Sequence, residues 1–438
     1  MGILSSILSL FWYNIHMQRA LSDWQSEEAL LERLRLESPD LFVRPKSEPD
    51  LLLGSVGIVG LPDDRVEACV GTKQDDLLRE EFYTDDYHAL RACTRSHPDP
   101  LHSGHVLHVN VVADCAHSKE VASLLAEHLG QSQEDVHYVT HYPRRGSHAQ
   151  RMSVKGALWD RLQSFSHPGI TIEPLRYASE HVQPAHLMGV RHQVRLRTKG
   201  AADPNKLKRL VTYFSAAGVL PFAPPSQFGS RVIDHKLGFL SLSRNDDALT
   251  RTFFTEPGLL DEPLWKRVRS LLGANYGDWE AMRGVVDPYP YTLWRERVLL
   301  EALVRDPSGG LRSAWRTLAS ERKKWEEAYA RWVVNRTLST YQRPEDVHLA
   351  LPHPFSEEGR RVYGRVFQAD GLTRLPKKMQ ERQSGKSVMR MFPEFHRVRQ
   401  QDDGLVFLFT LPPGISYETL LLPFFKLHTR HIPHWAHD

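Results

Sequence analysis

The stretch that decides the fold is residues 105–154, HVLHVNVVADCAHSKEVASLLAEHLGQSQEDVHYVTHYPRRGSHAQRMSV. It opens with His105 to Val112, where apolar and polar residues alternate as in a half-buried β-strand. Ser118 then starts a helix that Gly130 ends. The apolar residues of this helix recur at helical spacing: Val121, Leu124, Leu125 and Leu129. Two short strands follow around a basic loop, at Val136 to Val139 and Ala149 to Val154. This order of elements predicts a mixed α/β sheet.

Two groups of basic residues accompany this unit. The first lies in the loop and the strand after it: Arg144, Arg145, His148 and Arg151. The second lies on and after a strand predicted at His192 to Leu196, mostly on one face by the period of two: Arg191, Arg195, Arg197 and Lys199. Arginine forks pair bidentately with phosphate, so the two groups would form a phosphate-tracking groove if the fold joins them. Taken singly, each group is more typical of a solvated face.

The chain turns to helical patterns from about Ser230 to about Ala350 and then returns to strand patterns. A helical block between two sheet-forming segments predicts an inserted domain. Elsewhere the sequence predicts four further elements: a helix at Glu27 to Leu36, a strand in LLLGSVGIVG at 51–60, a buried strand at Leu405 to Leu411 and a helix at Tyr417 to Lys426.

Composition excludes several classes of protein. The chain has 438 residues, 41% of them hydrophobic and 25% charged, which rules out a mainly disordered or coiled-coil protein. The formal net charge of +3 does not by itself argue for a nucleic-acid partner. No run of residues is long and apolar enough for a membrane span. Three cysteines without a C-x-x-C pair give no zinc or disulfide pattern, and we expect no metal and no cofactor, even in the histidine-rich C-terminal tail.

The N-terminal segment, MGILSSILSLFWYNIHMQR, contains no acidic residue and has bulky apolar residues between serines. It partly fits a mitochondrial presequence, although such presequences are usually richer in arginine. Gly2 with Ser6 also fits the short myristoylation pattern. We expect a mitochondrial location, with a cytoplasmic or nuclear one as the alternative.

Six short motifs occur in a fixed order between Gly104 and Lys426, and together they resemble the pseudouridine synthase D (TruD) family, which isomerises uridine in RNA. The central family loop has the form G-x-K-D-K-[RH]-A-x-T-x-Q, and Val136 to Arg151 lies along it without a gap. Four positions match or nearly match it: Arg144, Arg145, Gly146 and Gln150. The other motifs are similar to Leu187–His192, Gly218–Gly229, Ala328–Ser339, Leu351–Pro354 and Leu411–Gly414.

The residues that carry the family's chemistry are replaced. Pro143 stands where the catalytic aspartate of the family should be, and Tyr142 replaces the lysine before it. Val190 and His192 replace the asparagine and the aromatic residue that line the uracil pocket. The family reaction needs a carboxylate that attacks the flipped uridine. Proline supplies no nucleophile, and no acidic residue occurs between Val136 and Asp160.

The resemblance implies an α/β pseudouridine synthase core split by a mainly helical insertion. We expect an N-terminal extension at 1–45, the core at 46–229 and 351–427, the insertion at 230–350 and a histidine-rich tail at 428–438. The expected function is that of a catalytically inactive protein that binds structured RNA, together with other assembly or ribosomal proteins, in mitochondrial ribosome assembly. Two alternatives stay open: an active tRNA or rRNA pseudouridine synthase with a non-standard carboxylate, and a protein-interaction scaffold that does not bind RNA.

Overall fold

The structure is a computed structural model. It describes residues 22–428 except 44, 46–47, 72, 93–94, 99–104, 157, 201–202, 342–350, 373–386, 389 and 402–403. In this part of the chain the helices are α1 (22–37), α2 (Pro49–Ser55), α3 (Ser118–Leu129), α4 (Trp159–Leu162), α5 (Pro204–Ala217), α6 (Asp234–Leu242), α7 (Asp246–Thr255), α8 (Pro263–Ala274), α9 (Trp279–Val286), α10 (Trp294–Arg305), α11 (Gly310–Ala314), α12 (Ala319–Leu338), α13 (Glu357–Val362), α14 (Gly364–Ala369) and α15 (Tyr417–Leu421). The strands are β1 (Val66–Val70), β2 (Leu77–Tyr83), β3 (Val106–Asp114), β4 (Val136–Tyr138), β5 (Ser147–Lys155), β6 (Ile170–Ala178), β7 (Leu187–Thr198), β8 (Leu351–Pro352), β9 (Ser387–Val388), β10 (Glu394–Gln401), β11 (Gly404–Leu411) and β12 (Phe425–His428).

The chain divides into two compact units. The helical unit comprises Met1–Val59, Phe222–Thr340 and Leu351–Ser387, and the sheet unit comprises Gly60–Pro221, Tyr341–Ala350 and Val388–Asp438. The helical unit therefore takes in segments that the sequence analysis assigned to the core. Hydrogen bonds within this unit explain the difference: Asn335 donates to the carbonyl of Val56 (2.9 Å), and the Tyr329 hydroxyl donates to Asp370 (2.7 Å).

The sheet unit is built on a mixed sheet, which confirms the predicted fold class. Its main path runs β10-β11-β7-β2-β5-β3-β6, with β1 joined to β7 and β12, and β4 joined to β5. The β2–β5 and β1–β12 pairs are parallel, and the other pairs are antiparallel. Because β2 lies between β5 and β7, it brings the basic loop before β5 close to the strand that carries the second basic group.

Helix α3 confirms the helix predicted to start at Ser118. The His117 side chain accepts a hydrogen bond from the Lys119 amide, and Gly130 ends the helix in a left-handed conformation (φ 65°). Val121 and Leu125 are fully buried in a core shared with residues of β3 and β5. Burial of each such side chain stabilises the fold by roughly 1.5–3 kcal/mol.

Two predicted elements are wrong. The segment at 51–60 is not a strand, because Pro49 starts helix α2 there and buries Leu52 and Leu53. The helix predicted from Tyr417 to Lys426 ends at Leu421, since Pro423 cannot continue it, and the chain then forms β12 parallel to β1. The strand predicted at Leu405 to Leu411 is confirmed as β11.

The helical unit has its own apolar core, in which aromatic side chains from several helices meet. Trp315 packs edge-on against Phe253 and Trp325, with ring centroids 5.2 and 5.7 Å apart. A buried ion pair joins Arg269 to Glu296 at 2.6 Å. Among the described residues, no helix has the length and apolar character needed to cross a bilayer.

Candidate functional site

The basic loop between β4 and β5 is hydrogen-bonded to the start of helix α3. The Tyr142 amide donates to the Ser118 hydroxyl (2.8 Å), and the Ser118 amide donates to the Tyr142 carbonyl (3.2 Å). The loop ends at Gly146, which has a φ of 72°. A Cβ on Gly146 would lie 2.2 Å from the Leu77 carbonyl oxygen, so alanine, the family residue at this position, does not fit this loop conformation.

We expect Gly146→Ala to lower the free energy of unfolding by about 2 kcal/mol or more, because it combines a positive φ with a clash against backbone. Gly130→Ala is the matched control, since Gly130 has a similar φ of 65° but nothing within 4 Å of the added Cβ. This control is expected to cost about 1 kcal/mol. Urea unfolding followed by circular dichroism measures both values. Equal losses in the two variants would contradict the clash.

Tyr142 is buried in the sheet face beneath the loop. Its side chain is 4% exposed, and its ring lies 4.7 Å from the His148 ring and 5.0 Å from the Arg79 guanidinium. Its hydroxyl donates to Glu81 Oε1 at 3.1 Å. Val190 packs in the same apolar cluster. Tyr142, which the motif places at the family's lysine position, therefore packs in one cluster with Val190, which the motif places at a uracil-pocket position.

Glu81 is a carboxyl group buried beneath the loop with no exposed surface. It accepts hydrogen bonds from the Tyr83 hydroxyl (2.5 Å), the Tyr142 hydroxyl (3.1 Å) and the Arg151 amide (3.0 Å). Burial raises the pKa of Glu81, although these hydrogen bonds oppose the rise. With both oxygens engaged and no access to solvent, this carboxyl group cannot approach a substrate in the present structure.

His148, Arg79 and His192 form a buried row across β5, β2 and β7. Arg79 lies in register with His148 on one side and with His192 on the other, so the three side chains share a face of the sheet. Burial, with the positive charge of Arg79 nearby, lowers the pKa of each histidine to about 3. Both ring nitrogens of each histidine are buried without a hydrogen-bond partner among the described residues. The histidines are thus neutral at neutral pH.

His192 is stacked on Phe409, with ring centroids 5.6 Å apart and planes 23° apart. Pro143, by contrast, is exposed in the loop. The next residue, Arg144, binds the Glu120 carboxylate of α3 through two hydrogen bonds of 2.9 Å. Pro143, Val190 and His192, which replace the family's functional residues in the motif alignment, therefore supply no carboxylate. Val190 and His192 are buried in the sheet unit.

Arg151 and His148 are internal, which corrects their prediction as RNA contacts. Arg151 has no exposed surface, and its guanidinium makes two 2.8 Å hydrogen bonds to the Asp85 carboxylate. Arg176 binds the same carboxylate at 2.7 Å, and the His108 Nδ1 atom lies 3.0 Å from Arg151 Nε. A guanidinium with no exposed surface cannot reach a phosphate, and neither can the buried ring of His148, so neither residue belongs to an RNA-binding surface in this structure.

The remaining predicted basic residues lie at the surface or half-buried, and acidic side chains pair with several of them. Besides the Arg144 pair with Glu120, these are Arg191 with Glu80 (2.9 Å), Arg195 with Asp76 (3.5 Å) and Lys199 with Glu67 (3.5 Å). Alternate burial along β7 places Arg191, Arg195 and Arg197 on the face opposite His192. Residues predicted to line one groove therefore lie on two faces of the sheet: His148 shares the face of His192, and the three arginines of β7 lie on the other face.

Arg145 and Arg197 come together at strand β1. Arg145 donates to the Val70 carbonyl (3.1 Å), and Arg197 lies in register with Cys69. Burial raises the pKa of the Cys69 thiol, while the charges of Arg197 and Arg145 act in the opposite direction. Arg145, from the first basic group, and Arg197, from the second, therefore both lie beside strand β1.

The histidines form no metal site in the part of the chain that the structure describes, where no three His, Cys, Asp or Glu side chains converge. His428, assigned to the tail, instead ends strand β12 with its Nε2 atom 3.4 Å from Glu67. The other histidines of the tail lie outside the described residues.

The sheet unit thus carries the basic loop before a central strand, and its segments are interleaved in sequence with those of the helical unit. The chain belongs to the tRNA pseudouridine synthase D (TruD) family, which it matches over residues 77–350. The resemblance in the motifs is thereby confirmed.

Individual relatives support the same assignment. The chain is 28% identical to the protein of Methanopyrus kandleri named "Probable tRNA pseudouridine synthase D" over 235 residues, 53% of this chain and 54% of that protein. It is 24% identical to tRNA pseudouridine synthase D of Wolinella succinogenes over 173 residues, 37% of this chain and 47% of that protein. The chain thus spans about half the length of these curated relatives. The crystal structure of a Methanosarcina mazei protein named "Putative tRNA pseudouridine synthase D (TruD)" shares the fold, with a TM-score of 0.62 and 16% identity over 86% of this chain and 98% of that chain.

Sequence reasoning missed the buried polar side of β2. Residues 77–83, LLREEFY, alternate in burial, so that Arg79 and Glu81 point inward between Leu77 and Tyr83. Apolar and polar residues do not alternate in this segment, and charged residues such as Arg79 and Glu81 are typical of an exposed face. Their burial depends on Tyr142, His148 and His192, which only the tertiary structure places around them.

Proposed function

We propose that this protein binds structured RNA through the pseudouridine synthase fold without isomerising uridine. The observation that carries this proposal is the loop: Pro143 stands at the nucleophile position, and the neighbouring Tyr142 is packed against Val190 and bonded to Glu81. The nucleophile is replaced, and the side chain beside it occupies the face on which the pocket positions lie. The family supports RNA as the ligand, since its named relatives are tRNA pseudouridine synthases.

The absence of turnover is tested with structured RNA labelled with tritium at uridine C5, because isomerisation releases that tritium. We expect release at the level of a protein-free control, while a TruD enzyme that retains the aspartate serves as the positive control. The carboxylates beside the loop are tested as Glu120→Gln and Glu81→Gln. Glu127→Gln is the matched control, because Glu127 is exposed on the same helix as Glu120. Release above background that either test variant abolishes, and the control preserves, would establish the active alternative.

RNA binding is proposed to involve Arg144, Arg145, Arg191, Arg195, Arg197 and Lys199. Phosphate can displace the carboxylates that now pair with the exposed members, because surface ion pairs contribute only about 0–1 kcal/mol. We expect affinity for structured RNA to fall steeply with salt, and the double variant Arg145→Ala/Arg197→Ala to flatten that dependence. Arg361→Ala is the control, since Arg361 is an exposed arginine of the helical unit that is not in the proposed set.

The RNA is proposed to be ribosomal and the setting mitochondrial ribosome assembly, on the evidence of the acid-free N-terminal segment and by analogy with synthase relatives. Crosslinking in cells followed by sequencing of the attached RNA names the target directly. Imaging of a C-terminally tagged chain, with and without residues 1–19, tests the location. Recovery of tRNA alone, or a location unaffected by the deletion and outside mitochondria, would overturn this part of the proposal.

A second candidate function is a protein-interaction scaffold without RNA binding. The ion pairs favour it, because acidic partners already neutralise Arg144, Arg191, Arg195 and Lys199. This candidate predicts weak RNA binding with a salt dependence that the Arg145→Ala/Arg197→Ala variant leaves unchanged.

A further inference from the structure

The sheet unit has a groove of about 410 Å³ between helix α5 and strand β10. Among the described residues β10 pairs only with β11, so its other edge presents backbone N–H and C=O groups to a further strand. The groove is lined by residues from both faces of β10, because Phe395 and Val398 share one face and Arg397 lies on the other. The groove therefore follows the free edge of this strand.

The floor of the groove is apolar. Leu207 and Val211 lie one turn apart on α5, and Val398 and Leu405 come from the sheet. Leu207 and Leu405 are buried, whereas Val398 and Val211 are half-buried. An apolar side chain that enters the groove is therefore removed from water by contacts on both the helix and the sheet.

The rim of the groove and the face of β10 opposite Val398 are basic. Lys208 and Arg397 line the groove, and Arg399 lies two residues beyond Arg397 on the same face of the strand. All three residues are exposed, and none of them pairs with a carboxylate among the described residues. No acidic residue of the described chain lines the groove. This positive charge is complementary to an acidic partner.

The same charges disfavour a second copy of this strand as the partner. Antiparallel pairing of two β10 strands centred on Val398 places Arg397 of one chain opposite Arg399 of the other. Like charges directly opposite each other on paired strands are destabilising. A nucleic acid is also a poorer fit than a peptide, because phosphate oxygens only accept hydrogen bonds and cannot pair with the carbonyl groups of β10.

We propose that the edge of β10 docks an extended segment of a partner protein in which acidic and apolar residues alternate. The segment adds a strand along residues 397–401, the part of β10 that pairs with β11 without a bulge. Successive side chains of a strand point to opposite faces, so its apolar residues enter the groove beside Leu207 and its acidic residues face Arg397 and Arg399. This inference goes beyond the proposed function and does not depend on RNA binding.

The test uses the full chain and two fluorescein-labelled peptides, GEVEVEVEG and GKVKVKVKG, with binding measured by fluorescence anisotropy. The acidic peptide is expected to bind and the basic peptide is not. The variant Arg397→Glu/Arg399→Glu is expected to bind the acidic peptide roughly tenfold more weakly and to gain binding of the basic one. Arg209→Glu/Arg365→Glu is the matched control, because it makes the same change in net charge at exposed arginines that do not line the groove.

A third peptide, GEVEPEVEG, separates strand pairing from charge attraction alone. It keeps every acidic residue but contains a proline, which has no N–H group to donate to a neighbouring strand. We expect it to bind the unaltered protein more weakly than GEVEVEVEG does. Thermal unfolding checks that each protein variant is folded.

The outcomes separate this inference from the proposed function. If the acidic and basic peptides bind alike, if the proline peptide binds as well as GEVEVEVEG, or if the control variant changes binding as much as the charge-reversed one, the inference is wrong. It is also overturned if no peptide binds at up to about 1 mM, or if self-association that depends on Arg397 and Arg399 occupies the edge. Binding of a labelled RNA octamer instead of the peptides would assign this surface to RNA. Loss of structured-RNA binding alone overturns only the proposed function.

Discussion

Asp85→Ala is expected to lower the free energy of unfolding of the sheet unit by about 3–5 kcal/mol, because it leaves Arg151 charged and buried without its carboxylate. Arg151 has no exposed side-chain surface, and Asp85 holds both of its terminal nitrogens while also binding Arg176. Removal of the carboxylate that pairs with a fully buried guanidinium is far more costly than removal of one partner of an exposed pair. Urea unfolding at neutral pH, followed by circular dichroism, measures the loss.

The matched control for this prediction is Asp64→Ala. Asp64 pairs with Lys206 in the same unit but is 72% exposed, so the expected loss is below about 1 kcal/mol. A double variant, Asp85→Ala/Arg151→Met, removes both charges of the pair and is expected to be less destabilised than the sum of the two single variants. Strict additivity, or an Asp85→Ala loss no larger than that of the control, would contradict an uncompensated charge as the cause.

The second large effect is a loss of stability in mild acid. Unfolded histidine has a pKa near 6.5, whereas burial lowers the pKa of His148 and of His192 to about 3. Between these values the unfolded chain binds the extra proton, so stability that is present above pH 6.5 is lost as the pH falls. From pH 7 to pH 5, each of these histidines is expected to contribute a loss of about 2 kcal/mol.

His192→Phe isolates one of these contributions. Phenylalanine keeps an aromatic ring against Phe409 and removes two buried nitrogens that lack partners. The variant is therefore expected to lose about 2 kcal/mol less than the parent between pH 7 and pH 5. His97→Phe, at an exposed position, should leave the pH dependence unchanged. If His192→Phe shows the same acid sensitivity as the parent protein, the burial of a neutral His192 is not its source.

Much of the fold was accessible to sequence reasoning where periodicity and capping agree. Helix α3 and strand β11 carry clean apolar spacing and end at glycine or proline signals, so their bounds were predicted almost to the residue. The segment at 51–60 failed because a short apolar run fits a strand or a buried helix equally well. The C-terminal helix was overextended because pairing of β12 with β1, some 360 residues away along the chain, is invisible to local pattern.

For the candidate site, the sequence identified the loop and, through the family motifs, the expected replacements Pro143, Val190 and His192, but not how the side chains around them are packed. Arg144, Arg145 and Arg151 look alike in sequence as neighbours in a basic cluster. Tertiary contacts give them different environments: Arg144 is exposed beside Glu120, Arg145 reaches β1, and Arg151 is buried against Asp85.

The sequence by itself determined the mixed α/β class and the family resemblance, because these depend on residue identity and local spacing, and on the same basis it predicts that Pro143 replaces the catalytic aspartate. Only the tertiary structure decided that Tyr142 closes over Glu81 and that His148 and His192 are neutral and buried. It alone also shows that Leu207 and Arg397 border one groove. Burial and hydrogen-bond partners are set by residues far apart in the chain, and the same side chain binds phosphate, packs or titrates according to those neighbours.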